Sequence, residues 1–131
     1  MIQVDKELLL RDLSARLPYN VICQVEFKES GKHNSQIMLL SGIFTDEAYF
    51  TTKGGSIYSN EYRPYLFPHS SMTEEQKEEY VALQQRVIYN SQGPVDLDVM
   101  NYVNWCYKNY IDINGLIEKG LAIDATGLNI Y

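Results

Sequence analysis

VICQVEFKESGKHNSQIMLLSGIF, residues 21 to 44, decides the fold. Its ends are apolar and its middle is polar. VICQVEF (21–27) alternates as a half-buried strand does, with every second side chain turned to one face. ESGKHNS (29–35) carries the Gly, Asn and Ser of a turn. QIMLLSGIF (36–44) reads as a second, buried strand with a bulge at Gly42. AYFTT (48–52) is a third strand. KGGS (53–56) turns the chain, since Gly54-Gly55 between two strand-like runs is a hairpin signal. IYSNEYRPYL (57–66) continues in extended form. Connections this short join antiparallel neighbours, because a parallel crossover needs a dozen residues or more.

Helical periodicity flanks this block. Residues 5 to 17 form a first helix: Asp5 is expected to cap it, with Val4 packing on Leu9 as a staple. Leu10, Leu13 and Leu17 make its apolar stripe, and Pro18 stops it. From Thr73 to about Ile88 a second helix places Tyr80, Leu83 and Val87 on one face. Thr73-x-x-Gln76 is a capping box, and Ser71-x-x-Glu74 is an overlapping candidate. SQGP (91–94) breaks the pattern. Asp96 or Asp98 then caps a third helix, with Val99, Tyr102, Val103, Cys106 and Tyr110 in line. Asn114-Gly115 turns the chain, LIEK (116–119) makes a short helical turn, and Gly120 suits the position after it. LAI (121–123) is a last strand or an extended tail. The expected fold is a single α+β domain over residues 1–131. It has an N-terminal helix, an antiparallel sheet of three or four strands, then two or three helices packed on one face.

The chain has 17 acidic and 11 basic residues and a net charge of −6. Nucleic-acid binding works mainly by neutralising phosphates, so DNA and RNA are not expected partners. The same charge argues against an anionic membrane surface. No apolar run could span a bilayer, and MIQVDKELLL has acids where a signal peptide has a basic start. The expected location is the cytoplasm. Cys23 and Cys106 then read as free buried thiols, with a disulfide the disfavoured alternative. Eleven tyrosines stand against four Phe and one Trp. Tyrosine suits both strands and surfaces that bind something.

Catalytic chemistry finds no constellation. His33 and His69 lie far apart and neither has a nearby second ligand, so no metal and no cofactor are expected. Asp96-Leu97-Asp98 lacks the glycine and terminal glutamate of a calcium loop. TTKGGS (51–56) lacks the order of a Walker loop. Ser70 and Ser71 adjoin His69, but neighbours in sequence rarely meet in triad geometry, and no nucleophile elbow is present. Glu74, Glu75, Glu78 and Glu79 complement a helix start and its solvated face. Asp112 is either an Asx-type bond to the backbone or an acid with no identifiable partner. What remains is YRPYLFPHSS (62–71). Pro64 and Pro68 hold Arg63 and Phe67 extended. The candidates for binding a ligand or partner are Tyr62, Arg63, Tyr65 and His69, with Lys53 in the preceding turn, since aromatics and arginine are enriched at interface hot spots.

YRPYLFPHSSMTEEQ, DINGLIEKGLAIDA and LLLRDLSARLPYNV together resemble a family of short proteins of gut Bacteroidota and their phages. Its members typically read KPYLRPMSSMTEEE, FDYRGLIEKGLALEA and LLLKDLCARLPYGV. Here Phe67 and Asn114 stand where arginine is usual, and His69 where methionine is usual. The resemblance implies an origin in a phage or mobile element, and no particular activity. The expected function is an accessory protein of that kind, a non-catalytic protein-binding module acting on a protein partner or by self-association. If phage-encoded, it would act in the host cytoplasm. The alternative is a homo-oligomeric sponge that sequesters a nucleotide signal of host anti-phage defence, pooling Lys53 and Arg63 from several chains. A small enzyme is a third, weaker expectation.

Overall fold

A computed structural model describes residues 2–44, 47–89 and 95–131; for Tyr89, Val95 and Asp96 it describes the backbone alone. The chain opens with α1 (Gln3–Arg16) and a 3-10 turn at Leu17–Tyr19. A meander follows: β1 (Ile22–Glu29), β2 (Lys32–Ile43), β3 (Ala48–Thr52), β4 (Gly55–Ser59) and β5 (Glu61–Leu66). After a 3-10 turn at His69–Ser71 come α2 (Glu74–Tyr89), α3 (Val95–Lys108) and β6 (Ile123–Asp124). The class is α+β. The sheet is larger than expected, with six strands in the order β4-β3-β2-β1-β5-β6. All neighbours are antiparallel except β6, which runs parallel to β5 with Ile123 opposite Tyr65.

Local chemistry explains most boundaries. Lys53 and Gly54 form the tight β3–β4 turn between paired Thr52 and Gly55. The β2–β3 register shifts between Leu40 and Gly42, the bulge expected from the glycine. The capping box before α2 is reciprocal: Gln76 N–H donates to Thr73 Oγ1 (3.1 Å), and Thr73 N–H donates to Gln76 Oε1 (3.0 Å). The Ser71 hydroxyl donates instead to the Pro68 carbonyl (2.8 Å). The expected break at 91–94 lies outside the described residues. α3 is already helical at Val95, so Asp96 and Asp98 sit inside its first turn rather than before it.

The sheet is strongly curled. β4 and β1 are separated by two strands, yet the Ser59 hydroxyl donates to the Glu26 carbonyl (2.7 Å). The rings of Phe50 on β3 and Tyr62 on β5 lie 5.2 Å apart across the hollow. The concave face is filled by Val21, Cys23, Val25, Met38, Leu40, Ala48, Phe50 and Leu66, together with Leu9 and Leu13 of α1. The two C-terminal helices pack on each other and reach the rest of the molecule through a second cluster. It centres on Met72, Cys106 and Ile111, with Phe67, Tyr80 and Trp105 against them. Helix α1 therefore covers the sheet, while α2 and α3 form an appended hairpin. Cys23 and Cys106 are both buried and free.

Helix α1 departs from the expected pattern. It starts at Gln3 with Ile2 at its cap, and Val4 is 70% exposed, so neither the Asp5 cap nor the staple forms. Its buried positions are Leu9, Asp12, Leu13 and Arg16, not a leucine stripe. Asp12 and Arg16, at i and i+4, neutralise each other: Arg16 Nε meets Asp12 Oδ1 at 2.6 Å and Nη2 meets Oδ2 at 3.2 Å. Arg16 Nη2 also donates to the Ile111 carbonyl (2.7 Å), and its guanidinium lies 4.7 Å from the centre of the Tyr107 ring. Asn114 Nδ2 donates to Asp12 Oδ2 (2.8 Å). The pair thus joins α1 to α3 and to the segment after it. Arg16 Nη1 has no partner among the described residues, a desolvation cost that the other contacts must offset.

Two outcomes follow from this packing. Replacing one partner of the buried pair, as in Asp12→Ala, should cost about 3–5 kcal/mol in urea unfolding, because the other charge is stranded. The apolar double variant Asp12→Leu/Arg16→Met should lose less than the single variants' sum. Alkaline pH is the second test. Burial raises the Cys106 thiol to about 11 and the Tyr62 phenol to about 12, and holds Cys23 up further. In the unfolded chain these groups ionise near their ordinary values of about 8.5 and 10. Their contribution is therefore complete below about pH 8.5 and lost as pH rises toward the folded values. Unfolding midpoints measured between neutrality and pH 11 should fall accordingly.

Candidate functional site

Strand β5 is paired on one side by β1 and on the other by β6, but the two pairings do not cover the same residues. β1 pairs Glu61 to Pro64, while β6 pairs only Tyr65 and Leu66. Among the described residues, the outer edge of β5 from Glu61 to Arg63 therefore has no strand beside it. A groove of about 480 Å³ lies along this edge. Lys6 and Leu9 of α1 form one wall, Gly120 and Leu121 close one end, and Tyr62 and Arg63 lie on its floor and rim.

Alternation of the backbone fixes what this edge offers. The Tyr65 carbonyl points toward β1, where it accepts from the Tyr131 hydroxyl (2.8 Å), which in turn accepts from Ile22 N–H (3.0 Å). The Leu66 carbonyl points the other way, accepting from Ala125 N–H (2.8 Å). Counting back along the strand, Arg63 and Glu61 turn their main-chain groups to β1, and Tyr62 and Pro64 turn theirs to the open edge. Pro64 has no N–H, so its place on the outward side leaves no ladder bond unmade. Tyr62 is different: its N–H and C=O face the groove, and among the described residues nothing hydrogen-bonds to them there.

The charges around this edge are mixed. Glu61 stands directly opposite Glu26 on β1, a like-charge pair across the ladder. Such a pair is unfavourable. His33 Nε2 lies 3.1 Å from Glu26. Arg63 Nη2 donates to Gln24 Oε1 (3.0 Å) and is otherwise exposed.

The five candidate residues do not form one site. Tyr62 and Arg63 line the groove, but the Tyr62 side chain is itself packed in the core and the residue is only 8% exposed. Tyr65 is only 6% exposed and belongs to the interior. His69 sits in the 3-10 turn before α2, its ring edge-on to Tyr80 at 5.5 Å. Lys53 is exposed in the β3–β4 turn and does not line the groove that Arg63 borders. One chain therefore does not bring Lys53 and Arg63 together. Lys6 and Leu121 were not singled out in the sequence. Nothing local marks them; they reach the groove only because α1 and the segment after α3 converge there. Asp112 has a backbone role, accepting the N–H groups of Leu116 and Ile117 at 2.9 Å each. This turn positions the segment that ends at Gly120 (φ +75°) and Leu121. Among the described residues, no group of three or more His, Cys, Asp or Glu is arranged to hold a metal ion, and no helix is long and apolar enough to cross a membrane. No family model, no curated protein and no solved structure matches this chain.

The placements separate core from surface in a measurable way. Tyr65→Ala should cost about 3 kcal/mol or more, as truncation of a buried aromatic does. Lys53→Ala should stay within about 0.5 kcal/mol of the parent, as exposed substitutions do. Urea unfolding of both variants reads the difference.

Proposed function

We propose that this protein is a non-catalytic binding module that takes up an extended polypeptide strand along the open edge of β5. The observation that carries this is the outward-facing, unpaired main chain of Tyr62 inside a walled groove. A strand laid there gains two main-chain hydrogen bonds, and its alternate side chains are read by different surroundings. Those on the inner face meet Leu9 and Leu121. Those on the outer face meet Glu61 and Arg63. The groove sets Leu9 and Leu121 beside the charged and polar side chains of Lys6, Glu26, Asn60 and Arg63, so a docked strand meets both kinds of surface. An accessory role of the phage or mobile-element kind is consistent with such a module and rests on the sequence resemblance.

The test is to select binding peptides from a displayed random library and map them onto the protein by amide chemical shifts. The amides of Glu61, Tyr62, Arg63 and Leu121 are expected to move most. The Tyr62 amide should also exchange with solvent more slowly once peptide is bound. Perturbations confined to other surfaces, with Tyr62 unchanged, would overturn the assignment.

A further inference from the structure

We infer that the strand fitting this groove is the same segment of a second copy, so that two chains pair through β5 about a two-fold axis. The inference rests on the strand-docking reading above and adds the identity of the occupant. Its basis is the order of three residues, Glu61-Tyr62-Arg63. Consider an antiparallel pairing of β5 with its copy, centred on Tyr62. The two outward-facing Tyr62 main chains then exchange both of their hydrogen bonds. The same symmetry sets Glu61 opposite Arg63 of the other chain, and does so twice. Both side chains are exposed on the outer face of the sheet. They occupy non-hydrogen-bonded positions, where facing side chains approach most closely. The segment is self-complementary in charge, as an isologous interface requires.

A second feature points the same way. Glu61 is held against Glu26 of its own sheet. In the paired form, the arginine of the other chain lies on the free side of Glu61 and compensates that repulsion. The pairing is also self-limiting. Pro64 supplies no N–H to the edge, and β6 occupies the edge from Tyr65 onward. Within β5 only the short stretch around Tyr62 is available, which makes the association weak, and the two-fold axis closes it as a dimer.

Charge exchange tests this directly. Sedimentation of the full chain, at concentrations reaching about 1 mM where weak interfaces populate, should show a reversible dimer that salt weakens. Glu61→Arg and Arg63→Glu should each weaken it by about tenfold or more, because like charges then face each other twice. An equimolar mixture of the two variants should form a heterodimer, since their charges are complementary. Circular dichroism confirms that both variants keep the fold. A wild-type chain that stays monomeric throughout, or a dimer that both variants retain unchanged, would overturn the inference. A synthetic peptide carrying residues 59–65 separates the two levels of the proposal. If the protein is monomeric but this peptide shifts the Tyr62 amide, strand docking stands and self-pairing fails. If neither dimer nor shift is seen, self-pairing fails, and the displayed library decides strand docking by itself.

Discussion

The buried ion pair of Asp12 and Arg16 is the constraint on which the rest of the arrangement hangs. Two charges are removed from water in the last two turns of α1, and besides meeting each other they make contacts that reach outside that helix. Arg16 holds the Ile111 carbonyl and the face of Tyr107; Asp12 holds Asn114. These contacts fix the chain just where it leaves α3. From there Asp112 sets the turn at Leu116 and Ile117, and the turn delivers Gly120 and Leu121 to the edge of β5. The end of the groove is thus determined by a helix at the opposite end of the sequence. A buried pair of this kind contributes little net stability compared with apolar side chains of the same size. Its value here lies in favouring one arrangement of α1 against the C-terminal segment, because any other would bury the pair without its hydrogen bonds to Ile111 and Asn114.

The sheet shows how an edge is partly closed and partly left open. β5 could have been covered along its whole length, but β6 is two residues long and reaches only Tyr65 and Leu66. Tyr131 adds to the closure from the other side. Its hydroxyl bridges β1 and β5 where their ladder ends, and its ring stacks on Tyr110 at 3.6 Å. Burial holds its phenol well above the ordinary range, which keeps the bridging proton in place. Against this closure, the open stretch at Tyr62 stands out: a bare main-chain donor and acceptor, flanked by one acid and one base. An edge left in that state is a pairing surface, and its charges decide what pairs with it.

Local signals are legible where a short range of sequence carries the whole interaction. The alternation of β1, the bulge at Gly42, the turn at Lys53-Gly54 and the capping box of Thr73 and Gln76 are all of this kind. Each is settled by residues within a few positions of one another. The stripe of α1 misled because hydrophobic periodicity treats Asp12 and Arg16 as surface, although their spacing lets them share a buried position as a neutral unit. β6 was ambiguous because two residues are too few to show a period. Of the candidate side chains, Tyr62 and Arg63 lie at the groove, but the feature that matters at Tyr62 is its backbone, which composition cannot reveal.

The sequence by itself determined the class of fold, the antiparallel meander, most turns, the capping box before α2 and the net negative charge. These depend on periodicity, backbone preference and net charge, which are properties of neighbouring residues or of simple sums. Only the tertiary structure decided which part of β5 stays uncovered, which way the main chain of Tyr62 faces, and what walls the groove around it. Those depend on contacts between residues about a hundred positions apart, such as Arg16 with Ile111 and Asp12 with Asn114. No local rule carries them, because the free energy that selects them comes from satisfying buried charges and closing a curled sheet at the same time.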